Sequence, residues 1–399
     1  MSLDLAKSLA QLPVLVDRLN LWSAKKKKAL ENAGSALQKL NVADTNSRAS
    51  NGKATWLASV LTEHPLNAHS ANPVDSNHIV MAVDGSHIDV DRHASAFYYL
   101  INIGYASFRY GEHSDAQLWN NPYLYANDSD LVINDSGSTR AFQVEGPLLG
   151  IKRAVKEIEA LADLIESEHT KTPIIALLDG SLIFWSLSSQ AYPDFVRESL
   201  LKNKLLHALD RIRLSGHSRK IALASYISLP RSKELVNSLR LSICPHEPID
   251  CDKHCGKLNA GVRPCDDVNG LFDIDLMQKI LKDSERSAIF SSASKVMDYY
   301  EEHQICYFYI NTGNEISRVE LPCWVAEDEK LLDLLHAGLL AQLHKGQGYP
   351  IALQEAHEQA VVSTTDREYF TQLVQELMTK EGLPVDTSEK SRSKRTRFV

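Results

Sequence analysis

Apolar positions recur along the chain in two rhythms. Two short runs, Ile79-Val80-Met81-Ala82-Val83 and Ile174-Ile175-Ala176-Leu177-Leu178, are continuously apolar and partly β-branched. Strands covered on both faces have that pattern. Each run leads into the same tripeptide, Asp84-Gly85-Ser86 and Asp179-Gly180-Ser181, and the turn propensity of Asp-Gly predicts that each strand ends at its aspartate. Further strands are predicted within residues 97–110, 221–226, 307–309 and 316–321. Between them the spacing turns helical. Over residues 142–168, Ile151, Ala154, Val155, Ile158, Ala162 and Ile165 share one face, flanked by Glu157 and Glu159, either of which could reach inward. Similar spacing predicts helices over residues 2–40, 195–214, 232–241, 327–344, 352–361 and 366–380. Residues 41–77 read as loops with a short helix around 56–61, and residues 111–138 as a polar segment with turn signals. This alternation predicts an α/β fold with a mixed or mostly parallel sheet flanked by helices. The expected organisation is an N-terminal helical extension and linker (1–76), a main domain (77–365) interrupted by a cysteine-bearing insert at about 242–270, and a C-terminal helix with a basic tail (366–399).

Length and composition narrow the picture. With 399 residues and 44% hydrophobic content, the chain can bury a large core. Its net charge of −8 gives no global field to attract nucleic acid, so such binding would rest on local patches. Candidates are Lys25 to Lys28 and the tail residues Lys390, Arg392, Lys394, Arg395 and Arg397, although charge runs are commonly plain solvated surface. The N-terminal stretch is interrupted by Asp4 and Lys7, which excludes a signal peptide or membrane span there and predicts a cytoplasmic protein.

The chemistry centres on the paired aspartates. If the two strands are parallel neighbours, Asp84 and Asp179 lie one strand spacing apart, roughly 5 Å. That separation lets carboxylates share one or two divalent cations, which can activate a water for in-line phosphoryl displacement. With a helix glutamate they would suit Mg²⁺ or Mn²⁺. The bland alternative is three unrelated acids among 51. His357 follows Gly348-Tyr349-Pro350 and a helix start, but it is one of 15 histidines. Cys244, Cys251, Cys255 and Cys265 fall in one short stretch whose spacing is not that of a zinc ribbon. Four such thiols could hold zinc or an iron–sulfur cluster, or stay reduced and unliganded. No phosphate-binding glycine loop and no nucleophile elbow occur. Ala82 stands where dehalogenase-like phosphatases carry their nucleophilic aspartate, which argues against covalent phosphatase chemistry.

Several of these motifs, in this order, resemble the NurA family of DNA end-processing nucleases. They are Ala82-Val83-Asp84-Gly85-Ser86, Leu178-Asp179-Gly180-Ser181-Leu182, Glu285-Arg286-Ser287 after Asp273, Arg318-Val319-Glu320-Leu321-Pro322, and Gly348-Tyr349-Pro350 leading to Ala356-His357. The resemblance implies an RNase H-like core similar to Argonaute/PIWI nucleases, and Mn²⁺-dependent (or Mg²⁺-dependent) 5′–3′ exonuclease activity, with single-strand endonuclease activity beside it. It also implies a homodimer working with a HerA-type hexameric ATPase/helicase in double-strand break repair. Carried across, Asp84, Asp179, Glu157 (with Glu159 in reserve) and His357 become the metal-binding and catalytic set, and Asp273 a further acidic member. Arg286 and Arg318 could contact phosphates, although arginines in carboxylate-rich segments are as often structural ion pairs. The rival functions are a non-catalytic DNA-end clamp or adaptor for a translocating ATPase, and a phosphomonoesterase.

Overall fold

The structure is a computed structural model that describes residues 4–73, 76–90, 96–188, 191–259 and 261–385. The basic tail, residues 390–397, lies outside the described residues. The chain divides into two compact units. The first comprises Met1–Ala71, Ile227–Ser294 and Ile305–Glu320, and the second Asn72–Tyr226, Lys295–Gln304 and Leu321–Val399.

In the second unit, three strands form an antiparallel meander: β1 (Ile79–Ile88), β2 (Tyr99–Arg109) and β3 (Asp115–Tyr125). The helix α1 (Pro147–Ser167) then leads to β4 (Ile174–Asp179), which pairs parallel to β1. A helical run over Asp194–Arg197, Glu198–Leu206 and His207–Ser215, π-helical in its middle segment, leads to β5 (Ile221–Ile227), parallel to β4. The resulting order, β3-β2-β1-β4-β5, is the expected mixed sheet. The apolar runs of β1 and β4 are buried throughout, because helices cover both faces. Ile151, Val155, Ile158, Ala162 and Ile165 of α1 are buried. On the other face run α2 (Glu329–Lys345) and α3 (Ile351–Ala360), and Gly338 of α2 lies directly over Ile175 of β4.

Two sequence expectations change here. β1 does not turn at Asp84-Gly85-Ser86 but continues to Ile88, because β2 extends alongside and supplies ladder partners for residues 84–88. β4 does end at Asp179. The polar segment at 111–138 contains β3, an edge strand largely exposed on both faces and therefore without an apolar period.

In the first unit, the helix Leu12–Lys39 buries Ala29, Ala33 and Leu37 while Leu12, Leu15, Leu19 and Trp22 stay exposed. Lys26, within the basic run, pairs with Asp275 at 2.6 Å. A helix occupies Val42–Asn51, and the expected helix around 56–61 is instead the strand Ser59–Leu61, which pairs with Phe290–Ser292. The core joins Leu235 and Leu239 to Phe290, Tyr307 and Tyr309.

Candidate active site

The four residues expected at the centre all lie in the second unit. The register Val83–Leu178 between the parallel strands sets Asp84 of β1 beside Asp179 of β4. Asp84 is also the ladder partner of Gly104 on β2. A Cβ at Gly104 would stand 2.2 Å from the Ala356 carbonyl oxygen and 2.4 Å from the Ala360 nitrogen, so the missing side chain is what lets the α3 backbone lie on the sheet. The last turn of α3 is held there by Asn102, whose side-chain amide donates to Ala360 O at 3.0 Å, and by the Ser86 hydroxyl, which donates to the same oxygen. His357, on this helix, thereby meets Asp84, with Nδ1 2.6 Å from Oδ2. With Nδ1–H given to the carboxylate, Nε2 carries the lone pair and is free to ligate a metal or accept a proton.

Glu157 approaches from the opposite face of the sheet. A Cβ at Gly85 would stand 2.5 Å from Glu157 Oε1, so this glycine opens the space that the carboxyl occupies. Glu157 is 6% exposed, and its Oε1 is buried without a hydrogen-bond partner. Arg153, one turn earlier, stands 3.5 Å from that oxygen through Nε and donates through Nη1 to the Gly85 carbonyl. Burial pushes the Glu157 carboxyl up to about 8, with Arg153 opposing the shift and Asp84 and Asp179 adding to it. Glu159 is only half-buried, so of the two flanking glutamates it is Glu157 that turns under β1.

Asp179 lies at the solvent-accessible end of β4, yet partial desolvation of its carboxyl raises it above the usual range. A hydrogen bond from Tyr349 opposes that shift, and the neighbouring Asp84 adds to it. Burial and the neighbouring Asp179 in turn raise the Tyr349 phenol, whose ring packs edge-on against Tyr226 at 5.5 Å. In sequence Tyr349 stands in the motif before His357 with no sign of this role. His87, on the Glu157 side of β1, carries no sequence signal either, and its buried Nδ1 has no hydrogen-bond partner. Burial, and then Arg153, lower its pKa.

The remaining candidates lie in the first unit and are engaged there. Asp273 is fully buried and accepts from Ser232, Tyr309 and the Val236 amide, as a structural acceptor does. Arg318 is buried between Glu234 and Glu320, each at 2.8 Å, with its guanidinium 3.6 Å from the Tyr307 ring centroid. The ion-pair alternative describes it. Arg286 is buried and donates to the Ser287 carbonyl.

A sequence profile of the NurA domain matches residues 78–362. The chain belongs to the NurA family. The match spans most of the chain and contains Asp84, Glu157, Asp179 and His357. Among solved structures, the NurA nuclease from Sulfolobus solfataricus aligns with a TM-score of 0.46 at 15% identity, over 92% of this chain and 97% of that one. LC9-RNase H1, a type 1 RNase H, aligns at 0.22 and 7% identity, over 43% of this chain and 72% of that one. No curated protein matches the sequence significantly.

Proposed function

We propose that this NurA-family chain is a divalent-metal-dependent DNA nuclease whose site is built on Asp84, Asp179, Glu157 and His357. The observation that carries the reading is the convergence of carboxylates. Two aspartates stand side by side on adjacent parallel strands, and a buried glutamate beneath them, its carboxyl pushed up to about 8, has an oxygen with no hydrogen bond and Arg153 3.5 Å away. Three carboxyls to one guanidinium leave the set carboxylate-rich, and a hard cation would suit it. Among the described residues, no three His, Cys, Asp or Glu side chains stand around one point as a finished coordination shell. The fit therefore rests on donor chemistry and on the orphaned oxygen.

A bound dication would polarise the scissile phosphate and make water nucleophilic near neutral pH. The chain's own residues prepare the site. Asp84 and Asp179 would hold the ion, and Tyr349 orients the Asp179 carboxylate by hydrogen bonding to it. Asp84 fixes the His357 ring through Nδ1, and an imidazole donor biases an oxygen site toward Mn²⁺ over Mg²⁺. Arg153 ties α1 to the Gly85 carbonyl and so keeps Glu157 under β1. In keeping with the family, we assign the chain 5′–3′ exonuclease and single-strand endonuclease activity on DNA ends. We further assign it to double-strand break repair as a cytoplasmic homodimer working with a HerA-type ATPase. No described helix is long and apolar enough to cross a membrane.

The test is a gel assay on end-labelled single- and double-stranded DNA with Mn²⁺, Mg²⁺ or EDTA, alone and with the ATPase partner. Cleavage should require the metal, and Asp84→Asn should lower it by at least about 100-fold while DNA binding persists. Undiminished cleavage by Asp84→Asn would remove the site assignment. Salt-sensitive binding without cleavage in every lane would favour a DNA-end clamp.

A further inference from the structure

Four thiols of the first unit take no part in the chemistry described so far. Cys244 follows the helix Glu234–Ser242, Cys251 and Cys255 stand one turn apart on the helix Cys251–Cys255, and Cys265 lies in the 3-10 turn Pro264–Val268. The fold brings all four to one small cavity of about 10 Å³, which Trp56 also lines. All four are free, and Cys251, Cys255 and Cys265 are buried.

Reduced cysteines can serve as small apolar core residues, and that would explain their burial. It would not explain the donors around them. The Trp56 indole N–H is buried without a hydrogen-bond partner, as are Nε of Arg240 and Nε of Arg263, two residues before Cys265. The Arg240 guanidinium lies 3.8 Å from the Trp56 ring centroid and brings Nη2 to 3.8 Å from the Cys265 sulfur, while also pairing with Asp266 at 2.8 Å. The Arg240 contact with Cys265 favours a thiolate there, while burial pushes the Cys255 and Cys265 thiols up, an opposition that a bound cation would resolve.

We propose that Cys244, Cys251, Cys255 and Cys265 form a tetrathiolate site for a single zinc ion that ties together the segments of the first unit. Four cysteines with no inorganic sulfide required match the donor set of a structural zinc site, which takes one ion with tetrahedral bonds of about 2.3 Å. Four thiolates around Zn²⁺ carry two excess negative charges, which the unpartnered N–H groups and the Arg240 guanidinium, shared with Asp266, offset in part. Among the described residues no three His, Cys, Asp or Glu donors stand as a formed metal group, so the four thiols lining the cavity would turn inward to hold the ion. The cavity walls are anchored for this. The Lys53 amide donates to Ile249 O at 2.7 Å, the Cys251 amide donates to Lys53 O at 3.0 Å, and Arg48 donates to Cys244 O at 2.8 Å.

The full chain, purified without chelators, should carry one zinc per molecule by elemental mass spectrometry, and the Cys251→Ser/Cys255→Ser variant should lose it. If that variant does not fold, wild-type protein stripped of metal and titrated with Co²⁺ supplies the second test. Thiolate-to-cobalt charge-transfer and tetrahedral d–d bands should appear and then vanish when zinc is added. A chain without zinc or cobalt bands, with all four thiols open to Ellman's reagent, would overturn the site. Iron with sulfide-to-iron absorption would overturn the single-ion assignment. Zinc content is read independently of DNA cleavage, so Asp84→Asn should leave it unchanged whether or not the nuclease reading stands.

Discussion

Glu157 lies where a proton is easier to hold than a charge. Its carboxyl is buried beneath Gly85 within reach of the fields of two aspartates, and its folded pKa of about 8 lies above the ordinary 4.5. A group with a raised folded pKa contributes stability that is complete below its unfolded value and is lost as pH rises toward the folded one. In chelator, therefore, the stability of the chain should fall between about pH 5 and pH 8, by on the order of a few kcal/mol at about 1.4 kcal/mol per unit. Thermal melts in EDTA across that range check this. Glu157→Gln should flatten the dependence and raise the midpoint at the alkaline end. Added Mn²⁺ should stabilise the wild type most at alkaline pH, where the proton competes least. A melt of wild-type protein with no slope over this range would mean that Glu157 is charged in the fold.

At the level of elements, the site depends on how closely α3 approaches the sheet. His357 reaches Asp84 only because β2 carries glycine at the ladder partner of that aspartate. In Gly104→Ala the new methyl would meet backbone atoms, which cannot rotate away, so α3 must lift and take the imidazole with it. The expected cost is about 1–3 kcal/mol of stability together with a marked loss of cleavage by the molecules that remain folded. Gly150→Ala on α1 is the matched control. Its Cβ would meet nothing within 4 Å, and alanine in a helix is favoured over glycine by about 0.5–1 kcal/mol. Chemical denaturation of both variants separates the close contact from the general effect of adding a methyl.

At the level of the whole molecule, the second unit carries the candidate chemistry and the first carries a buried polar network. Arg318 lies between Glu234 and Glu320, and Ser232, Ser292, Asp273, Tyr309 and Tyr307 continue the network around it. Replacing Arg318 with alanine would leave two buried carboxylates without their cation. It should destabilise the chain by about 3–5 kcal/mol, measurable as a lowered denaturation midpoint. Replacing an exposed phosphate-binding arginine would leave that midpoint nearly unchanged, so the same measurement separates the two roles. The net charge of −8 belongs to this scale too, since it leaves DNA attraction to local groups and to bound cations.

The sequence by itself determined the covered strands, the amphipathic face of α1 and the pairing of two aspartates with two apolar runs, because burial on one or both faces is written locally in side-chain period. It also marked His357 and the four cysteines as candidates by their settings. What it could not specify was whatever depends on a partner segment. β1 outruns its turn signal because β2 is there to pair with it. β3, exposed on both faces at the sheet edge, has a partner but no hydrophobic period to announce it. The choice of Glu157 over Glu159 rests on how α1 sits against Gly85, and the meeting of His357 with Asp84 rests on the missing side chain at Gly104. The fate of Arg318 rests on Glu234, 84 positions away in sequence. Proximity between distant residues is a property of packing, and only the tertiary structure decides it.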